Sequence, residues 1–89
     1  MEDFLRELGI TLDGHVNENG HYVIDIDNSD EFGKVFSRLD KSTLVDEDEE
    51  SSSLTLDTAN IQYIGDDYNI TLMADFENDT GYKLIVREN

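Results

Sequence analysis

A chain of 89 residues holds one modest core, and at 37% hydrophobic residues, below the globular average, its apolar side chains must be placed economically. The formal charge is −16, from 22 acids against 6 bases, which opposes compaction and excludes direct attraction to nucleic acid or to an anionic membrane. There is no Cys, which excludes a disulfide, a thiolate nucleophile and a Cys-ligated metal.

The first residues, "MEDFLRELG", are acidic and lack the apolar run of a signal peptide. No segment approaches the roughly 20 apolar residues of a membrane span. A soluble protein of a reducing, cytoplasmic compartment is expected. High charge with low hydrophobicity is also the signature of disorder, but the apolar patterning argues for a folded chain.

Residues 2–8, "EDFLREL", predict a short helix. Phe4, Leu5 and Leu8 share one face, Gly9 stands where a helix ends, and Glu2 and Asp3 lie at the positive end of the dipole. "ITLDGHVNENGHYVIDID" predicts a hairpin turning at Asn19-Gly20, the preferred pair for a type I′ turn. Its outgoing strand is the stronger one, with Tyr22, Ile24 and Ile26 on one face and His21, Val23, Asp25 and Asp27 on the other.

"NSDEFGKVFSRLDKS" predicts a second helix, capped by Asn28 or Ser29, with Glu31 placed as in a capping box. Phe32, Val35, Phe36 and Leu39 form its apolar stripe, and Lys34, Arg38 and Lys41 crowd toward its C-terminal half. Residues 46–53 read as a flexible acidic-serine loop: Asp46, Glu47, Asp48, Glu49 and Glu50 run into serines with no apolar residue to fix them. "SLTL" and "NIQYIG" are strands flanking a turn at "DTAN". In "YNITLMADF", Tyr68, Ile70, Leu72, Ala74 and Phe76 alternate with polar positions. "ENDTG" is a turn with Gly81 free to take positive φ, and "YKLIVRE" closes the chain with Tyr82, Leu84 and Val86 inward. The expected fold is α+β: one domain over residues 1–89, an antiparallel sheet of four to six strands with two short helices on one face.

Catalytic chemistry is scarce. His15 and His21 flank the Asn-Gly turn; with Asp13 or Asp25 they are conceivable metal ligands, but they read as surface hairpin residues. "DIDNSDEFGKVF" begins like a calcium loop, yet Asp30 occupies the glycine position and Phe36 the position of the bidentate Glu. There is no H-E-x-x-H, no G-x-S-x-G and no Gly-rich phosphate loop. No catalytic residue, metal or cofactor is assigned.

The acids have a spacing worth noting. Alternate strand residues are about 6.6 Å apart, close to the roughly 6–7 Å between successive phosphates on one DNA strand. Asp25 and Asp27, on one face of a patterned strand, can therefore present carboxylates at phosphate-like spacing. The expected function is non-enzymatic inhibition of a basic nucleic-acid-binding protein by imitation of DNA charge. The alternative is an immunity protein or antitoxin that caps a basic nuclease toxin. Predicted contacts are Asp25, Asp27, Asn28 and Ser29, with Asp46–Glu50 adding long-range steering.

The order helix, strand "HYVIDID", helix "SDEFGKVFSRLDK", then "SLTL", "NIQYIG", "YNITLMADF" and "YKLIVRE" resembles that of the phage uracil-DNA glycosylase inhibitors, which are small, very acidic and free of Cys. The resemblance covers most of the chain as topology. It implies an acidic-serine motif after the first strand, which falls on Asp27, Asn28 and Ser29 where the family has Glu-Ser-Ile. It also implies an apolar pocket between the second helix and the sheet, which falls among Phe32, Val35, Phe36, Leu39, Ile70 and Leu72. The arm "TLDGHVNENG" has no counterpart in that family. Inhibitors of restriction or CRISPR nucleases share the composition and are equally admissible targets of the same reading.

Overall fold

The computed structural model describes residues 1–89. In chain order the elements are α1 (Glu2–Glu7), β1 (His15–Val16), β2 (Tyr22–Asp25), α2 (Ser29–Lys41), β3 (Val45–Glu47), β4 (Ser53–Leu54), β5 (Thr58–Gly65), β6 (Tyr68–Asp75) and β7 (Thr80–Glu88), with a 3-10 turn at Glu49–Ser51. The architecture is α+β and mostly sheet. All pairings are antiparallel, in the order β1-β2-β7-β6-β5-β3, with β4 also on β5, so the sheet has 7 strands rather than four to six. The count rises because both weak segments, the arm before β2 and the acidic stretch, are short edge strands.

The period-2 pattern places the core. Tyr63, Ile70, Leu72, Leu84 and Val86 stack across β5, β6 and β7, each at most 2% exposed. α2 lays Phe32, Val35 and Leu39 onto this layer and packs against β3 and β7. α1 reaches the same core from the Tyr68 end through Leu5 and Leu8, with the Phe4 and Tyr68 rings 4.7 Å apart. Of the two helices expected on one face, α2 packs against β3 and β7, and α1 joins the same core at the Tyr68 end. No helix is long and apolar enough to cross a membrane.

Local chemistry fixes the boundaries. α1 ends in a Schellman motif: the Ile10 amide donates to Leu5 and the Gly9 amide to Arg6, both at 2.9 Å, with Gly9 at φ +79°. Arg38 of α2 then donates to the Gly9 carbonyl at 2.6 Å and ties the helices together. The β1–β2 turn differs from the type I′ expectation. Asn17 Oδ1 accepts from the amides of Asn19 and His21, and the Gly20 amide donates to the Asn17 carbonyl. That draws the turn to Asn17–Gly20 and leaves only Gly20 of the Asn-Gly pair at positive φ. Likewise the turn expected at "DTAN" sits earlier, because Thr55 Oγ1 accepts from the amides of Asp57 and Thr58 and lets β5 begin at Thr58. Gly81 takes positive φ as expected.

Candidate functional site

None of the 22 acids is buried. The ion pairs are Arg6 with Asp3 at 3.2 Å and Lys34 with Glu31 at 3.1 Å, each within one exposed helix and worth little. The other acids therefore face solvent without an ion-pair partner, on a scaffold whose sheet is continuous.

Asp25 is exposed on β2 and stands directly across from Lys83 of β7, where opposite charges complement each other across the ladder. Asp27 is exposed beyond the strand, which ends at Asp25, so the strand spacing expected between these two acids does not hold. Asn28 is the N-cap of α2, its Oδ1 accepting from the Glu31 amide at 2.9 Å, and Ser29 is the first residue of that helix. A shallow concavity at this end is lined by Asp25, Asp27, Asp79 and Lys83. Beside it the Tyr82 phenol donates to Asp79 Oδ1 at 2.7 Å, which holds its proton and raises its pKa. In the same β6–β7 turn, Asp75 accepts from Asn78 through the side-chain amide at 2.8 Å and the backbone amide at 3.1 Å, which lowers its pKa. The Asp25–Ser29 group is brought together, but two of its members also have plain folding duties.

The acidic stretch is not the unpaired loop its composition suggested. Asp46 and Glu47 pair with Ile64 and Tyr63 of β5, and Ser53 pairs with Asn60. Residues 48–52 therefore span only the width of Ile61 and Gln62, and the surplus bulges out as the 3-10 turn. Ser52 closes the bulge: its hydroxyl donates to the Asp48 carbonyl at 2.7 Å and accepts from the Gln62 amide at 2.9 Å. The Asp48 amide donates to the Gln62 carbonyl at 2.8 Å. Backbone pairing with an adjacent long strand supplies the order that side-chain patterning could not indicate. A row of acids with a bulge also blunts this sheet edge against pairing with another chain.

The residues expected to form an apolar pocket under α2 are core instead. Phe32, Val35, Leu39, Ile70 and Leu72 are all buried, and half-buried Phe36 lies 6.4 Å from Phe32. Phe76 and Tyr82 complete an aromatic cluster around Phe32, with centroids 5.5 and 5.8 Å away, so the space between helix and sheet is filled.

An open groove of about 400 Å³ lies elsewhere, between α1, the segment before β3 and the β5–β6 turn. Phe4, Leu44, Ile64 and Tyr68 give it an apolar lining. Asp3, Glu7, Asp46, Asp66 and Asp67 also line it, and no Lys or Arg side chain does. The turn carrying Asp66 and Asp67 is braced: Asn89 Nδ2 donates to the carbonyls of Gly65 and Asp66 at 2.8 and 3.0 Å, and its amide donates to Asp67 at 2.9 Å. Of this group only Asp46 is among the contacts expected from sequence, where Asp66 and Asp67 read only as further charge at a β-turn. The signal available was Ile64, an apolar residue at a polar position of the β5 alternation, next to Gly-Asp-Asp.

The histidines are His15 on β1 and His21 just before β2, and no cluster of His, Cys, Asp and Glu is arranged to hold a metal ion. No family model, curated protein or solved structure matches the chain.

Proposed function

We propose that this protein is a non-enzymatic acidic inhibitor that occupies the cationic, DNA-binding surface of a nucleic-acid enzyme. The observation that carries the reading is the uncompensated surface charge: −16 on 89 residues, with no acid buried and ion pairs only at Asp3 and Glu31. Such a field costs compactness through self-repulsion, and a cationic partner relieves it. Several of the acids sit on strands, at the capped start of α2 or on the braced turn, so little backbone entropy opposes their binding.

Within this class the uracil-DNA glycosylase is the specific target implied by the resemblance in the order of elements along the sequence; restriction and CRISPR nucleases fit the charge equally. The apolar contact would not lie under α2, where the core is closed. The acidic edge from Asp46 to Glu50 supplies steering, and Asp25 at the end of β2 and Asp27 just beyond it supply the contacts.

The test is affinity capture from a bacterial lysate at about 0.15 M salt, followed by elution with duplex DNA. A DNA-binding enzyme released by duplex and inhibited by the free protein supports the reading. Recovery of only proteins that do not bind nucleic acid ends it. A uracil-excision assay then decides the specific target, since turnover unaffected by a stoichiometric excess of protein removes the glycosylase.

A further inference from the structure

The groove at the Tyr68 end combines two properties. Its lining exposes apolar side chains: Leu44 is 37% and Ile64 52% exposed, on a molecule that must otherwise economise on apolar surface. Its charged side chains are all acidic, Asp3 and Glu7 on α1, Asp46 on β3, and Asp66 and Asp67 on the braced turn, with Met1 and Thr43 completing the lining. An apolar guest alone would enter past five carboxylates with nothing to offer them. A wholly cationic guest would satisfy the carboxylates and leave the apolar lining wet. The guest that satisfies both carries an apolar side chain between basic ones.

We infer that this groove is an anchoring site for a partner segment in which one aliphatic side chain, such as leucine, is flanked by Arg or Lys. The aliphatic group packs on Leu44, Ile64 and the Phe4–Tyr68 ring pair. The flanking cations lie over Asp3, Glu7, Asp46, Asp66 and Asp67. A volume of about 400 Å³ lies at the small end of the ~300–1,000 Å³ typical of ligand sites and suits one side chain rather than a helix face. The brace from Asn89 holds the turn acids in place before the guest arrives. This inference rests on the partner being cationic, as proposed above, and adds where and by what chemistry it is held.

The test uses two synthetic probes, acetyl-Lys-Arg-Leu-Arg-Lys-amide and the same peptide with Gly for Leu, titrated into isotope-labelled protein and followed by backbone-amide NMR. The leucine peptide is expected to shift the amides of Leu44, Ile64 and Tyr68 saturably and to bind about tenfold or more tighter than the glycine peptide. The double variant Leu44→Ser, Ile64→Ser is expected to lose that preference. Both side chains are partly exposed, and an unchanged spectrum away from the groove checks the fold. Asp66→Asn with Asp67→Asn should weaken both peptides alike and keep the preference. Equal affinity of the two peptides, a preference that survives the Ser variant, or concentration-dependent shifts at Leu44 and Ile64 without peptide (a second copy covering the groove) would each overturn the inference. The two readings fail separately. A leucine preference with no DNA-competable partner leaves the groove standing and removes DNA imitation. A DNA-competing partner inhibited equally by the Ser variant does the reverse.

Discussion

Removing the hydroxyl of Tyr63 is expected to leave the protein as stable as before or more so, against the usual direction for a core substitution. Tyr63 is 1% exposed, and its phenolic oxygen has no hydrogen-bond partner within the fold, alone among the buried side-chain polar atoms. A hydroxyl buried in that state costs about 1–3 kcal/mol. Tyr63→Phe removes the cost and leaves only a hydroxyl-sized void, so the net change should fall between about 0 and +2 kcal/mol. For a domain of this size each kcal/mol moves Tm by about 4–8 °C. The same atom gives a second signature. Burial first, then the nearby carboxylates of Glu47 and Asp40, push the phenol pKa well above its ordinary 10.0. A folded-state pKa above the unfolded one means a stability contribution that is complete below pH 10 and lost as pH rises beyond it. Urea unfolding of both proteins, at pH 7 and through the alkaline range, checks both points. The Phe variant should match or exceed the parent at neutral pH and lose stability less steeply above pH ~10. A loss of about 1 kcal/mol or more at pH 7, with parallel alkaline slopes, would show that the hydroxyl is satisfied and the reasoning wrong.

Other outcomes follow from the same structure. Asn28→Ala should cost about 1 kcal/mol by removing the α2 cap, read by thermal unfolding, and an unchanged Tm would deny the cap its role. Gly14→Ala should destabilise by about 1–3 kcal/mol, since a Cβ there would lie 2.5 Å from the Val23 carbonyl and 2.8 Å from the Tyr22 ring; full stability would show that the arm shifts freely. Raising NaCl from about 10 to 300 mM should raise Tm by screening self-repulsion, and a flat or falling Tm would mean that the acids are not in net repulsion. Replacing Asp46–Glu50 by Asn and Gln should slow association with a cationic partner by about tenfold or more and flatten its salt dependence, measured by stopped flow; an unchanged rate removes the edge from steering.

Strong periodicity made most of the fold legible. The stripe Phe32, Val35, Leu39 and the alternations from Tyr68 to Ala74 and Tyr82 to Val86 name the buried faces directly, because burial itself writes that pattern. What stayed hidden was order conferred by a neighbour. Asp46 and Glu47 carry no apolar signal, yet β5 pairs with them, and Ser52 repairs the ladder where the surplus residues leave it. The two misplaced turns have one cause: Asn17 and Thr55 side chains capture nearby amides and move the reversal upstream. The candidate site divides along the same line. Asp25 and Asp27 were visible as exposed acids, though only Asp25 lies on the strand, and the apolar stripe of α2 cannot by itself distinguish a pocket from a filled core. The groove joins residues 1–7, 43–46 and 64–68, which only the folded chain brings together.

The central claim is that this surface displaces DNA from a protein. The direct measurement takes the captured DNA-binding enzyme with fluorescently labelled duplex bound to it and titrates in the inhibitor while following anisotropy. Full release of duplex near one equivalent of inhibitor, at an affinity that falls with rising salt as DNA affinity does, is the result expected. A stable ternary complex, with anisotropy unchanged or increased at saturating inhibitor, would contradict it.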